Sequence, residues 1–430
     1  MTTTTKHKIA KDRLLNTIHE TAAKFGAHGV WGKGITETGV CRLALSDLDK
    51  QVRDWFIEET KSLGCTVKVD SVGNIFAEYP GQKKGPPTAI GSHLDTQPTG
   101  GRYDGIYGVL SGLELLRTLK DNKIVPQYPI AVIDWTNEEG ARFPMSVMAS
   151  SVWSGQVPQE TVYKLESVTD DKPVTVEHEL KRIGYQGDVA ASYKENPIAA
   201  HFEIHIEQGP ILESEQKKIG VVTSVQAYGW YKCRVVGKAS HTGTTPLANR
   251  SDALLAASRM ISKGNDLAHK HEGLFSVGVL TLEPGVVNVI PESVLFTVDA
   301  RHVRDDSLAT MVAEAKEEFA AIAKSSGCSI SVEFEHIYTS PAVNFHEDCI
   351  ASVRQSAIAL YGEDQVRDMV SGAGHDSCAT SSVVPTSMIF IPSRDGVSHN
   401  PEEYSTPEQV AEGFEVLLGA VLDYDSKRTK

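Results

Sequence analysis

The stretch from Thr88 to Gly140 constrains the fold more than any other part of this chain. TAIGSH, beginning at Thr88, is a short apolar run that ends on a histidine. GIYGVLSGLELLRTLK, from Gly105, reads as a largely buried helix. PIAVIDWTNEEG reads as a buried strand through Trp135 and then runs into the acidic pair Glu138 and Glu139. Strands without polar alternation must be covered on both faces, and a mostly apolar helix between two of them supplies a cover. Strand, loop, helix, strand in this order predicts a parallel α/β sheet. In such sheets ligands gather beyond the carboxyl ends of the strands. The segment puts its polar residues there: His93, Asp95 and Asp104 after the first run, Glu138 and Glu139 after the second.

The pattern continues on both sides. Ser46 predicts an N-cap for a helix that Gly64 stops, and CTVKVD alternates as a strand. AAHFEIHIEQGP, from Ala199, is another strand, whose period of two sets His201, Glu203, His205 and Glu207 on one face. From about Lys217 the texture changes to β-α-β-β-α-β, closing with SISVEFEHIY, a compact two-layer unit of roughly a hundred residues. VPTSMIFIPS and the helix after Pro407 then resume the first pattern. The expectation is an α/β main domain, 1–216 and 332–430, with a mixed, mainly parallel sheet sandwiched by helices, interrupted by a ferredoxin-like α+β domain over 217–331. A chain of 430 residues accommodates two cores.

The formal charge of −14 argues against nucleic acid or an anionic membrane as partner. No run approaches a membrane span. MTTTTKHKIAKDRLL holds no signal-peptide core, its first six residues read as disordered, and DYDSKRTK matches no common address signal. The six cysteines are scattered with no CxxC pair, which argues against a disulfide framework or a thiolate metal site. A reducing, cytoplasmic setting is expected.

The polar residues at strand ends then carry the functional reading. His93, Asp104, Glu139, His205 and, in RDGVSHNPEEY, His399 offer three imidazoles and two carboxylates. That set suits two Zn²⁺ ions with one shared carboxylate, about 3.5–4 Å apart; Mn²⁺ and Co²⁺ accept the same donors. Asp95 is placed to hold the other nitrogen of His93. Taken singly, a histidine at a strand end is as readily a capped surface residue.

Read together, GSHLDT, YDGIYGVLSGLE, WTNEEGARF, HIEQGPILE, SHTGTTP, SGAGHDS and VSHNPEE resemble the zinc exopeptidase and aminoacylase family, specifically its amidohydrolase branch. That branch contains N-carbamoyl-L-amino acid hydrolases, allantoate amidohydrolases and yeast-type β-alanine synthases. The resemblance implies that His93 and His205 bind one zinc, that Glu139 and His399 bind the other, and that Asp104 bridges them. It makes Glu138 the general base, His241 the residue that stabilises the oxyanion, and Arg301 the carboxylate clamp. Gln208, Asn288 and His375 become further substrate contacts. The inserted domain becomes a lid in a homodimer, reaching the partner's site. His201 lies outside the motif and reads as structural or solvated.

Plainer readings stand beside these. Asn288 could be a turn residue before IPES, His241 merely exposed between capping residues, and Arg301 an edge-strand charge. The activity expected is hydrolysis of the ureido C–N bond of a small carboxylate substrate, N-carbamoyl-β-alanine first. The alternatives are an N-carbamoyl-L-α-amino acid and then allantoate. A dipeptidase or aminoacylase is disfavoured by His205, where the peptidase branches usually carry aspartate. A non-catalytic binding protein would normally have lost Glu138 or a ligand.

Overall fold

A computed structural model of the chain describes residues 8–10, 12–327 and 329–428. The expected disorder of the first six residues therefore lies outside the described residues. The described residues form two compact units, one lying within 1–223 and 344–430 and the other within 224–343.

The first unit is built on a mixed sheet. Its neighbouring strands run Ile219–Val225, Thr386–Ile391, Ala200–Ile206, Thr88–Ser92, Ile130–Asp134, Ile75–Tyr79 and Thr66–Val69. The four strands from Thr386–Ile391 to Ile130–Asp134 are mutually parallel, and the outer ones pair antiparallel. Ile130–Asp134 and Ala200–Ile206 are buried at every residue. On the latter, the alternation read from the sequence sorts chemistry between two covered faces, not water from core.

Helix Ile106–Asp121 packs on this centre, and a β-carbon at Gly112 would come within 2.6 Å of a Val132 methyl. Only glycine lets helix and strand approach so closely. On the other face Ala89, Ala131 and Ile133 join Trp135 and Trp153 in one cluster. Helix Asp47–Ser62 starts at Ser46, whose hydroxyl accepts from Asp49 N at 3.2 Å, a cap worth about 1 kcal/mol. Helix Pro407–Lys427 opens with a capping box between Thr406 and Gln409.

The second unit is a four-stranded antiparallel path in the order Leu274–Ser276, Ser293–His302, Ala227–Val236, Ser331–Ser340, with Leu280–Glu283 also paired to Ser293–His302. Helices Ala253–His271 and Asp305–Ser325 cover one face and bury Phe296, Phe319, Met260 and Val298 with it.

Both boundaries fall later than the sequence texture suggests. Ile219–Val225 is apolar and strand-forming like the insertion, yet it pairs with Thr386–Ile391 in the main sheet. Ser331–Ser340, cut off by a boundary at 331, pairs along its length with Ala227–Val236. Periodicity shows that a strand exists, but not which sheet claims it. Among the described residues no helix is long and apolar enough to cross a membrane.

Candidate metal centre

The strand Thr88–Ser92 ends one residue before His93, and Ile130–Asp134 ends four residues before Glu138. Ala200–Ile206 carries His205 near its end. Three neighbouring parallel strands thus deliver donors to the same edge of the sheet. Asp104 arrives on the turn into helix Ile106–Asp121. The next residue, Gly105, has φ +66°, and a β-carbon there would lie 2.2 Å from His93 Cε1. The glycine is required for both the turn and the approach. His399 enters from the loop after Thr386–Ile391.

Asp104 is the hub. Its Oδ1 lies 3.0 Å from His205 Nε2 and 3.7 Å from His93 Nε2. Its Oδ2 lies 3.3 Å from His399 Nε2, which is 3.4 Å from Glu139 Oε2. Two donor sets result, His93–Asp104–His205 and Asp104–Glu139–His399, each with its ligand atoms within 4.8 Å of one another. One oxygen of Asp104 faces each set, the disposition a bridging carboxylate needs. Imidazole and carboxylate donors in this ratio fit divalent transition metals.

Glu138 is buried and points its Oε2 at His93 Nε2 from 3.5 Å. Glu139 is anchored by Gln97, whose Nε2 donates to Oε2 at 2.8 Å and whose N donates to Oε1 at 3.2 Å. The adjacent glutamates thus face different partners.

The electrostatics also favour a cation. Burial and the negative charges of Asp376, Glu139 and Asp104 push the Glu138 carboxyl well above the usual range. Burial and Asp104 raise Glu139 to about 8. Burial pulls His205 down, but its hydrogen bond to Asp104 and the negative charges of Asp104 and Glu203 together outweigh that and lift it to about 9; a separate hydrogen bond to Asp104 raises His399 to about 9. Burial drops His93 to about 4. Burial also penalises the Asp104 carboxylate, yet His205 and His399 hold it well below its ordinary value. Without a cation, protons on two histidines compensate the carboxylates; a metal pair would replace those protons.

Asp95 corrects the sequence reading in one respect. The group facing His93 Nδ1 is its main-chain carbonyl, at 2.8 Å, while its carboxylate is 4.0 Å away. The carboxylate instead accepts from the backbone amides of Glu138 and Glu139 at 3.2 and 3.4 Å. His201 is fully buried, not solvated. Trp135 Nε1 donates to its Nε2 at 3.2 Å, and Ser377 Oγ lies 3.3 Å from its Nδ1.

Gln208 and His375 also reach the cluster. Gln208 Nε2 donates to Asp104 Oδ2 and to Ser398 Oγ, both at 3.0 Å. The His375 ring sits 4.7 Å from that of His205 and meets Ser371 Oγ at 3.1 Å. Gln208 and His399 have φ of 57° and 53°. Such left-handed backbone costs side-chain-bearing residues about 1–3 kcal/mol and concentrates at functional sites. Sequence reasoning missed Glu403, although it lies within the quoted VSHNPEE. Its Oε1 accepts from the amides of Tyr103 and Asp104 at 3.0 Å, and its Oε2 from Ser398 at 3.0 Å, tying the His399 loop to the Asp104 turn.

His241, Asn288 and Arg301 belong to the second unit. His241 and Asn288 are exposed and adjacent, since Ser240–His241 pairs with Val289–Ile290 and Thr242 N donates to Asn288 O at 3.0 Å. Arg301 donates to both oxygens of Asp299 at 3.0 and 2.8 Å, with its guanidinium 5.3 Å over the Tyr228 ring.

Residues 89–423 match the model of Peptidase family M20/M25/M40. The chain belongs to this family. It is a hydrolase acting on amide C–N bonds. An N-carbamoyl-L-amino-acid amidohydrolase of Rhizobium meliloti is 39% identical over 419 residues, 97% of each chain. A ureidoglycolate hydrolase of Oryza sativa subsp. japonica is 34% identical over 89% of this chain and 80% of its own length. Among solved structures, an amidase of the hydantoinase/carbamoylase family from Burkholderia multivorans superposes with a TM-score of 0.91 at 44% identity, covering 98% of this chain and 99% of its own.

Proposed function

We propose that this protein is a two-zinc amidohydrolase that cleaves the ureido C–N bond of N-carbamoyl amino acids, with an N-carbamoyl-L-α-amino acid as its preferred substrate. The observation that carries the reading is Asp104 lying between two donor sets, with Glu138 buried beside one of them. The α-amino acid preference is supported by the Rhizobium relative. N-carbamoyl-β-alanine is the second reading, supported by the resemblance of SVQAYGWYK and VPTSMIFIPSRDGVSHNPEE to the yeast-type β-alanine synthases.

His93 and His205 would hold one ion and Glu139 and His399 the other, with Asp104 shared. When bound, such a pair lowers the pKa of a water and polarises a carbonyl. Glu138 takes the water's proton as the oxygen adds to the ureido carbonyl, then returns it to the leaving nitrogen. In the metal-free protein burial and neighbouring carboxylates raise its proton affinity; a bound cation pair would lower it again, towards the working pH that a group exchanging a proton in both directions needs. One water is consumed, and the amino acid, ammonia and carbon dioxide are released. His241 stabilises the oxyanion and Arg301 pairs with the substrate carboxylate; Gln208, Asn288 and His375 complete the contacts.

The working form in this proposal is a cytoplasmic homodimer. Five described cysteines are unbridged, in keeping with a reducing compartment. His241 and Arg301 act on the partner's metal site. Arg301→Ala and Glu138→Ala proteins, each inactive, should then recover activity when subunits are exchanged; no recovery would remove the sharing.

The deciding experiment is ammonia release by zinc-loaded protein from N-carbamoyl-L-alanine and N-carbamoyl-β-alanine at equal concentration. Preference for the α-compound supports the proposal. Preference for the β-compound moves the protein to the second reading, and silence on both overturns the carbamoyl assignment.

A further inference from the structure

The second unit's sheet has an outward face that its helices leave uncovered. Along strand Ser293–His302 the residues Val294, Phe296, Val298 and Ala300 are buried against the helices, so Asp299 and Arg301 point the other way. The pairing register sets Tyr228 directly opposite Arg301, Trp230 opposite Asp299, and Tyr338 opposite Trp230. Directly opposed residues share a face. The ring centroids of Tyr228, Trp230 and Tyr338 lie 5.5, 5.8 and 6.1 Å apart, and the Arg301 guanidinium stacks on Tyr228. Trp230 is 42% exposed and Tyr338 48%. Three aromatic rings held together in water beside a carboxylate-reading arginine are a surface prepared for a ligand.

The chemistry of the substrate says which ligand. In an α-amino acid the β-carbon is two bonds from the carboxylate carbon, about 2.5 Å. Whatever holds the carboxylate therefore has the side chain beside it. A carboxylate paired with Arg301 brings the side chain onto the rings stacked around that arginine. N-carbamoyl-β-alanine and N-carbamoylglycine have no side chain to fill them.

We infer that Tyr228, Trp230 and Tyr338 form the wall that receives the substrate's side chain, and that they select N-carbamoyl-L-α-amino acids with aromatic or large apolar side chains. This rests on the carbamoyl-hydrolase reading and on Arg301 as its carboxylate clamp. Asp299 becomes a positioning residue that fixes the plane of the guanidinium against Tyr228.

The test is the ratio of kcat/KM between N-carbamoyl-L-phenylalanine and N-carbamoylglycine for the full-length zinc-loaded protein. The ratio should be well above one and should fall roughly tenfold or more in Trp230→Ala and in Tyr338→Ala, with Trp230→Phe retaining most of it. Calorimetric binding of the two compounds to Glu138→Gln, with and without Trp230→Ala, reads the wall independently of turnover. If neither compound is hydrolysed by the unaltered protein but the phenyl compound binds and Trp230→Ala abolishes that preference, the wall stands and the carbamoyl reading falls. An unchanged ratio in both alanine variants overturns the wall. So does equal binding of both compounds to Glu138→Gln. So does a shift of Trp230→Ala from dimer to monomer in sedimentation with selectivity intact, which would make the rings a subunit contact.

Discussion

Asp95 presents its main-chain carbonyl to His93 at 2.8 Å and turns its carboxylate away, to the backbone amides of Glu138 and Glu139. One residue thus fixes the ring of His93, a proposed donor, and the start of the loop that carries Glu138, the proposed base. Asp95→Ala keeps the carbonyl but frees the two amides. Zinc affinity, measured by chelator competition, should fall about 10–100-fold. A variant that binds zinc as tightly as the unaltered protein would show that the loop is held by other contacts.

Glu138→Gln keeps the shape of the proposed base and removes its proton exchange. Activity should fall by about 10²–10⁴-fold, with zinc content by atomic absorption unchanged at two per subunit. Loss of metal along with activity would make Glu138 a ligand and not a base.

In the metal-free protein His205 and His399 titrate at about 9 against an ordinary 6.5, and Glu139 at about 8 against 4.5. A raised imidazole stabilises the fold fully below 6.5, and that contribution is lost as pH climbs through 9. A raised carboxyl acts in the same direction, since the folded form keeps a proton the unfolded chain has given up. The Tm of the metal-free protein should therefore fall between pH 6.5 and 9. Under the proposed ligation by His205 and His399, zinc displaces these protons, so titration with zinc should release protons at pH 7 and far fewer above pH 9.5, with apparent affinity rising across that interval. An affinity independent of pH would exclude His205 and His399 as donors.

Much of this was legible because the chemistry sits at the ends of strands that apolar runs mark clearly. His93, Asp104, Glu139, His205 and His399 come from five separate stretches, and the parallel centre of the sheet brings them together. What the sequence hid was direction. Nothing in GSHLDT distinguishes the carbonyl of Asp95 from its carboxylate, and Glu403 reads as one acid in a polar loop until Tyr103 and Asp104 are seen to donate to it. The boundary strand Ile219–Val225 was hidden for another reason: apolar alternation looks the same in either sheet.

Behind the donors lies a buried charge network that sequence patterning does not reveal. Arg53 Nε donates to Asp49 at 2.8 Å, and its guanidinium lies 3.3 Å from Asp134; all three side chains are fully buried. Asp134 Oδ1 in turn accepts from Leu94 N at 3.0 Å, and Arg42 Nε donates to Leu94 O at 2.7 Å. The peptide units flanking Leu94, between His93 and Asp95, are thus pinned by buried charges. Removing Arg53 strands two carboxylates in the core, which costs far more than the lost Coulomb attraction of a surface pair. Arg53→Met, which roughly preserves the volume, should destabilise the protein by about 3–5 kcal/mol in urea denaturation. Replacing the whole charge set with apolar residues would cost less, because no carboxylate is then left unpaired. The double variant Arg53→Met with Asp49→Leu still leaves Asp134 without its arginine, so it should recover only part of the loss. Full recovery would mean that Arg42 alone compensates Asp134.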